Sequence, residues 1–329
     1  MALNKVSVGV GWMSVVARFA ERAAAVIENQ RWLDTPGYKL EHGLALTFNL
    51  AGSRSRGLQD FLHGRWLGHP LHPVLTDVPV GAWTTAAILD VAGAMSAKSH
   101  SYRRAAQLAV GAGVLGGAAA AVSGLIDWQH TQDQPRRSGL IHGVLNLAAL
   151  GLNAASWRYR SHGRVGAARL ASGLGYVLVL GSSYLGGNLV FRHGIGVDHG
   201  HKPPAGSHRF VAVLAEADLV EDVPRLVRVD GVDVVLVRHG GQISAVAGLC
   251  SHLGAPLEQG WLYRDTLVCP WHGSRFDLQT GCPSTGPATA PLARYETRVT
   301  AGHIEVRPVA VHTRPATRSK SRSTAGQPS

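Results

Sequence analysis

Four apolar stretches, near 74–95, 105–126, 139–157 and 168–191, dominate the first two thirds of the chain, with short polar loops between them. Each is close to the about 20 residues that a helix needs to cross the hydrocarbon of a bilayer. A soluble helical bundle would show a polar stripe on every helix, whereas Leu108 to Gly124 contains no charged residue. The pattern therefore predicts a membrane α-helical bundle of four spans. Gly113 and Gly117 stand one turn apart, as do Ser182 and Gly186, and small residues at that spacing let helices approach closely in lipid. Composition agrees, since 45% hydrophobic with 16% charged is apolar for a wholly soluble chain of 329 residues. The net charge of +11 does not point to nucleic acid, because the basic residues lie in short loops and in the last nineteen positions rather than on one aromatic-rich face. Membrane lipid with anionic headgroups is the expected partner of that charge.

Ahead of the spans, Trp12, Val16, Phe19, Ala23 and Ile27 recur at spacings of three and four. They mark one face of an amphipathic helix, expected either on the membrane surface or packed on the rest of the protein. No apolar core with a small-residue cleavage site follows Lys5, so no signal peptide is expected. Residues 30–60 carry Pro36, Gly37, Gly43, Gly52 and Gly57 without a sustained period, which predicts loop with short helices.

From residue 209 the period changes to two. Phe210–Leu214, Leu226–Val229, Val232–Val237, Ile243–Val246, Tyr295–Thr300 and His303–Val306 are short Val-rich runs, and Asp230-Gly231 is a tight hairpin signal. An all-β antiparallel domain is predicted. Within it Cys250-Ser251-His252 and, after a sixteen-residue gap, Cys269-Pro270-Trp271-His272 each offer one thiolate and one imidazole. A structural zinc ion takes two Cys and two His, although zinc fingers usually pair like with like. Cys282 is the third Cys, so no disulfide framework forms without dismantling the thiol pair, and it reads as a small residue beside the site.

The mixed order of the two loops resembles the Rieske family, whose [2Fe–2S] cluster takes two Cys on one iron and two His on the other. Gly254, Pro256, Pro270 and Gly273-Ser274 also fall where that family has them. The resemblance implies Cys250, His252, Cys269 and His272 as ligands, with Gly281 to Pro291 as the loop that shields the cluster. Quinol-oxidising members carry one further Cys in each ligand loop, where this chain has Ala255 and Trp271, and a Tyr where it has Phe276. Ser274 is retained. That combination implies a ferredoxin-type centre in the lower half of the Rieske range of about −150 to +300 mV. Ring-hydroxylating members need a large catalytic domain after the cluster, with an iron on two His and a carboxylate; only about twenty residues follow Pro308 here.

The membrane part, from about 61 to 197, resembles an uncharacterised family of four-helix membrane proteins. The resemblance rests on Gly68-His69-Pro70-Leu71-His72-Pro73, on His142 and Asn146, and on Gly186-Gly187-Asn188-Leu189-Val190 with Arg192-His193-Gly194. An even number of spans puts His69, His72, His130, His142 and His193 toward the face from which the β domain hangs, and the linker adds His199 and His201. His72, Asp77, Asp127 and His142 are expected to form one hydrogen-bonded interfacial network, because an acid in a span needs a partner. The alternative is a second redox site, either a b-type haem held by two of these imidazoles or a quinone pocket. Without Cys-x-x-Cys-His, no covalently attached haem is expected.

The expected organisation is an N-terminal helix and loop region at 1–60, a four-helix transmembrane domain at 61–197, a linker at 198–208, a Rieske domain at 209–310 and a disordered basic tail at 311–329. The expected function is a membrane-anchored electron carrier passing single electrons between redox partner proteins, with no catalytic residue of its own. A two-centre membrane oxidoreductase, a component of an oxygenase system and a redox sensor are the alternatives. Loops 98–104 and 158–169 hold seven Lys or Arg and no acid, which by the positive-inside rule puts the cluster outside. Cluster insertion in the cytoplasm, a family expectation, argues the other way, and a multi-pass cell-membrane protein with a cytoplasmic cluster is the expectation adopted.

Overall fold

The structure, a computed structural model, describes residues 7–96, 99–203 and 209–309. The basic tail expected at 311–329 lies outside them. Three helices precede the bundle: α1 (Ser7–Glu28), α2 (Asp34–Leu50) and α3 (Ser53–Leu62). On α1 the packed residues are Ala24 and Glu28, while Phe19 is 74% exposed. Of the expected apolar face, Phe19 and Ala23 are exposed and Ile27 is half-buried, and the helix is held at its C-terminal end. His193 bonds to Glu28 Oε1 at 2.9 Å, and the Glu28 carbonyl accepts from Arg137 at 2.8 Å.

Residues 34–50 form one continuous helix and residues 53–62 a second, where loop with short helices was expected. Pro36 lies in the first turn of α2, where no intrahelical N–H is required. Gly37 is buried under Arg136, whose Cδ would stand 3.3 Å from an added Cβ. The glycine that reads as a breaker is therefore a packing residue. Arg137 grips Asp34 with both arms, at 2.6 and 2.8 Å, and that hydrogen bond holds the carboxyl below its ordinary range.

Four long helices follow: α4 (Leu71–Ala94), α5 (Ser99–Trp128), α6 (Asp133–Ser161) and α7 (Val165–Phe191), each long and apolar enough to cross a membrane. Ile88, Leu108, Leu115, Leu170 and Val177 point outward, each more than 60% exposed. Such a belt is a liability in water and is at home in hydrocarbon.

The bundle is one helical hairpin used twice. Ala105-Ala106-x-Leu108-Ala109-x-Gly111-x-Gly113 on α5 recurs as Ala167-Ala168-x-Leu170-Ala171-x-Gly173-x-Gly175 on α7, and His72-x-Val74-Leu75 on α4 recurs as His142-x-Val144-Leu145 on α6. Burial follows the same register: Pro79, Trp83 and Ala86 match Ala149, Asn153 and Ser156. Gly113 lies against Trp83 and Gly175 against Asn153, where an added Cβ would come within 2.3 and 2.6 Å of side-chain nitrogen. Asp90 and Arg160 hold equivalent places in the two halves and pair with each other at 2.9 Å. Tandem repeats of this kind are related by an axis along the membrane normal.

The β domain has two sheets. The larger joins β1 (Val211–Ala215), β2 (Arg225–Val229), β3 (Val232–His239), β4 (Gln242–Ala247), β9 (Arg294–Thr300) and β10 (His303–Pro308) in the order β1-β10-β9-β4-β3-β2. These are the six runs expected from the sequence. Asp230 and Gly231 have φ of 50° and 81°, both left-handed as a two-residue hairpin turn requires. The smaller sheet was not expected: β5 (Trp261–Tyr263), β6 (Thr266–Val268), β7 (Arg275–Asp277) and β8 (Pro283–Thr285) pair in sequence order. Three residues are too few to display a period. A core of Val235, Val237, Leu257, Leu267 and Phe276 packs the two sheets together, with Cys250 and Cys269 at its edge.

Candidate functional site

The loop after β4 turns tightly, with Cys250 N–H donating to Ala255 O at 2.8 Å and Gly254 N–H to Cys250 O at 2.9 Å. The loop between β6 and β7 repeats the device, with Cys269 N–H to Ser274 O at 2.8 Å and Gly273 N–H to Cys269 O at 3.2 Å. Gly254 and Gly273 close the two turns with φ of 73° and 68°, a conformation that glycine adopts without strain. Each turn aims backbone N–H groups at its own sulfur: those of His252 and Leu253 at Cys250, those of Trp271 and His272 at Cys269.

Both Cys are 1% exposed. Both are free, and a hydrogen bond between their thiols pulls Cys269 down to about 6 and, with burial, pushes Cys250 up. One thiol ionises easily and the other is held protonated by its neighbour. On the imidazole side, His252 Nδ1 stands 3.3 Å from His272 Nδ1, with ring centroids 5.0 Å apart and nearly perpendicular. Burial lowers both rings, His252 to about 3. They are neutral at pH 7, the form that ligates metal.

This donor set fits a two-iron cluster better than a zinc ion. Tetrahedral zinc draws four donors around one point. Among the described residues no three of these four bring their ligand atoms within 4.8 Å of one another; the only group of His, Cys, Asp and Glu that does so is Glu221, Asp222 and His239, on the surface of the larger sheet. Thiol meets thiol and imidazole meets imidazole, as a cluster with sulfur on one iron and nitrogen on the other requires.

The loop from Gly281 to Pro291 lies over both turns. Ala288 N–H donates to Ser274 Oγ at 3.1 Å, and Ser251 Oγ donates to Ala290 O at 2.7 Å. Gly286, at φ 94°, passes so close that a Cβ would stand 2.7 Å from Ser274 Cα. Cys282 is a half-buried free thiol whose carbonyl accepts from Asp277 N–H.

The same loop is tied to the membrane part. Asp60 accepts from Gly286 N–H at 3.0 Å and Thr285 Oγ1 at 3.2 Å, while Arg65 pairs with Asp60 at 3.0 Å and donates to Ser284 O. His130, in the turn between α5 and α6, puts its ring 5.6 Å from His252, 5.2 Å from His272 and 5.3 Å from His63. His63 in turn bonds to Asp127 at 2.8 Å. Burial, and then the neighbouring rings, hold His130 well below its ordinary range. A small crevice beside this contact is lined by Pro70, Gly196, Asp198, Ser251, His252 and Pro287.

Of the residues singled out in the sequence, Cys250, His252, Cys269 and His272 come together, and His130 joins them. His69 is exposed, and His193 is engaged by Glu28. The expected network of His72, Asp77, Asp127 and His142 does not form. Asp127 ends α5 facing His63 of the preceding segment, Asp77 is exposed, and the two histidines bond to backbone carbonyls instead. Asp60, His63 and Arg65 escaped the sequence reading. Their one signal is the crowding of ionisable groups just before the Gly68-His69-Pro70 run.

Comparison with known proteins divides the chain in the same way. Residues 68–199 match the family described as "Predicted membrane protein (DUF2231)", and residues 209–296 match the Rieske [2Fe–2S] domain family. The chain is 35% identical over 98 residues to the ferredoxin CarAc of Metapseudomonas resinovorans, a match spanning 30% of this chain and 92% of that one. It is 36% identical over 90 residues to the anthranilate 1,2-dioxygenase ferredoxin subunit of Burkholderia cepacia, spanning 27% and 82%. A third relative, the cytochrome b6-f complex iron-sulfur subunit of Chlorobaculum tepidum, is 31% identical over 107 residues, spanning 32% and 58%.

Proposed function

The chain belongs to the Rieske [2Fe–2S] family, and from that premise we propose that it is a membrane-held electron carrier in which Cys250, His252, Cys269 and His272 bind the cluster. The observation that carries the assignment is the pairwise meeting of two buried thiols and two neutral imidazoles, with no three of the four donors around one point. A bound [2Fe–2S] cluster supplies reversible one-electron chemistry without making bonds. The protein's own part is to hold the ligands and exclude water. The turns at Gly254 and Gly273 fix the sulfurs, and the Gly281–Pro291 loop covers them through Ser251 and Ser274.

His130 closes the remaining side. Its ring stands where a partner protein or water would meet His252 and His272, so the docked arrangement turns the ligand imidazoles toward the membrane part. Electron delivery to a separate oxygenase is a second reading, favoured by the ferredoxin subunit of a dioxygenase among the relatives. It requires the β domain to leave this contact. The domain limits adopted are 61–197 for the membrane part and 209–310 for the β domain, with the cluster on the cytoplasmic face. A reporter fused after Pro308 that is active only outside the cell would reverse the choice of face.

The deciding experiment is low-temperature EPR of the dithionite-reduced, detergent-purified chain, with iron and sulfide analysis. A Rieske signal that disappears in Cys250→Ser and His272→Ala supports the assignment. A zinc-loaded, EPR-silent protein overturns it.

A further inference from the structure

The repeat places one feature at equivalent points of the two hairpins. His72, on α4, donates from Nδ1 to Ala120 O on α5 at 2.8 Å, and His142, on α6, donates from Nδ1 to Ser182 O on α7 at 2.9 Å. Each imidazole lies on a glycine of its own hairpin. A Cβ on Gly124 would come within 2.7 Å of the His72 ring, and one on Gly186 within 3.0 Å of the His142 ring. The two rings, one from each hairpin, meet with centroids 6.3 Å apart and planes at 87°.

An Nδ1–H bonded to a carbonyl is the arrangement that fixes a metal-binding histidine, since it sets the tautomer and leaves Nε2 as the lone-pair nitrogen. A separation of 6.3 Å is close to two metal–nitrogen bonds of about 2 Å each plus the radii of the two rings. The spacing leaves no room for a quinone ring between the imidazoles. A bare ion lacks further donors, because no third His, Cys, Asp or Glu among the described residues completes a group with this pair. Asn146 Nδ2 reaches His142 Nε2 at 3.0 Å and must turn aside to free that nitrogen.

From this geometry we propose that His72 and His142 are the two axial ligands of a haem bound on the internal axis of the bundle. A metalloporphyrin brings its four equatorial nitrogens and asks the protein for axial ligands only. Facing helices of a bundle are a usual place for such side chains. The hydrogen bonds of the two histidines run within a hairpin, so the hairpins can part around the ring without breaking them. The site lies beside the cluster domain: Pro70, two residues before His72, lines the crevice that His252 also lines.

The test uses the full-length chain in detergent, titrated with hemin and followed by its visible spectrum, oxidised and reduced. Saturable uptake of one haem per chain, with a six-coordinate low-spin spectrum, is expected. His72→Gly and His142→Gly should each abolish saturable uptake, and added imidazole should restore it, which separates lost ligation from lost folding. Absence of saturable uptake by the wild type, or uptake unchanged in the double variant, overturns the proposal. Cluster EPR on the same samples keeps the two assignments apart, since a Rieske signal without haem sinks only this one and haem without a Rieske signal sinks only the other.

Discussion

His252 and His272 sit on loops, with rings 5.0 Å apart and their Nδ1 atoms turned toward each other, whereas His72 and His142 sit on helices, 6.3 Å apart, with each Nδ1 held by a carbonyl. The supporting element explains the difference. A tight turn has spare backbone N–H groups, and here they go to the sulfurs, leaving the two Nδ1 atoms to meet each other. A helix has no spare N–H in its interior, but each carbonyl keeps a second lone pair. An imidazole pressed onto a glycine of the neighbouring helix therefore gives up Nδ1–H and keeps Nε2. Two pairs of the same residue thus present opposite nitrogens.

The largest expected effect breaks the loop pair alone. Cys269→Ser exchanges a thiol held at about 6 for a hydroxyl that stays protonated, and iron and sulfide should fall to background. The membrane helices should keep their far-UV signal and hemin titration, because among the described residues no bundle side chain bonds to either sulfur. Joint loss of both would mean that the two pairs form one folding unit.

Next is a test of the repeat. Gly113→Ala and Gly175→Ala each drive a Cβ into a buried side chain, Trp83 in one hairpin and Asn153 in the other. Overpacking of this kind costs roughly 1–3 kcal/mol. Unfolding in detergent should show similar losses for the two variants, and tolerance at one glycine only would undo the equivalence of the halves.

Much of this was legible because long elements announce themselves. Each span repeats its apolar character over five or more turns, and the strands of the larger sheet are Val-rich runs of five to eight residues. The cluster ligands are legible for another reason, since two mixed Cys and His loops have few uses in chemistry. The smaller sheet is not legible, because its strands have three residues each. Helix α2 is hidden by Gly37, whose place is dictated by Arg136 from far along the chain. The contact between the domains is hidden as well. Asp60 and Arg65 meet the Gly281–Pro291 loop across more than two hundred residues, a distance at which no local pattern carries a signal. The hairpin repeat was present in the sequence but interrupted by turns of different length.

A smaller effect is expected at that contact. Asp60→Ala removes the acceptor of Gly286 N–H and Thr285 Oγ1 and the partner of Arg65. Hydrogen bonds to charged groups are worth about 1.5–3 kcal/mol, so the Gly286 amide should exchange with solvent roughly 10- to 100-fold faster by local opening. The hemin titration should not change. An unaltered exchange rate would show that Asp60 does not hold this loop in solution.

The smallest expected effect concerns an imidazole whose Nδ1 meets a carboxylate, the case that neither pair represents. His239 lies on the larger sheet with Nδ1 2.6 Å from Asp222 Oδ1 and Nε2 3.5 Å from Asp265. The hydrogen bond to Asp222, ahead of the general attraction of the acids, raises its proton affinity. A folded value above the unfolded one, about 6.5, means that the folded chain binds the proton more tightly. The stabilisation is therefore fully present below that unfolded value and fades as pH rises through the raised folded value. It also weakens at acid pH once the carboxylates themselves protonate, near about 4. His239→Gln should accordingly be less stable than the wild type around pH 5 to 6 and indistinguishable from it well above neutrality, with ring titration followed by NMR as the direct check. A His239 ring that titrates at or below the ordinary value would mean that the Asp222 contact does not persist in solution, and the rule drawn from the two pairs would then lack its third case.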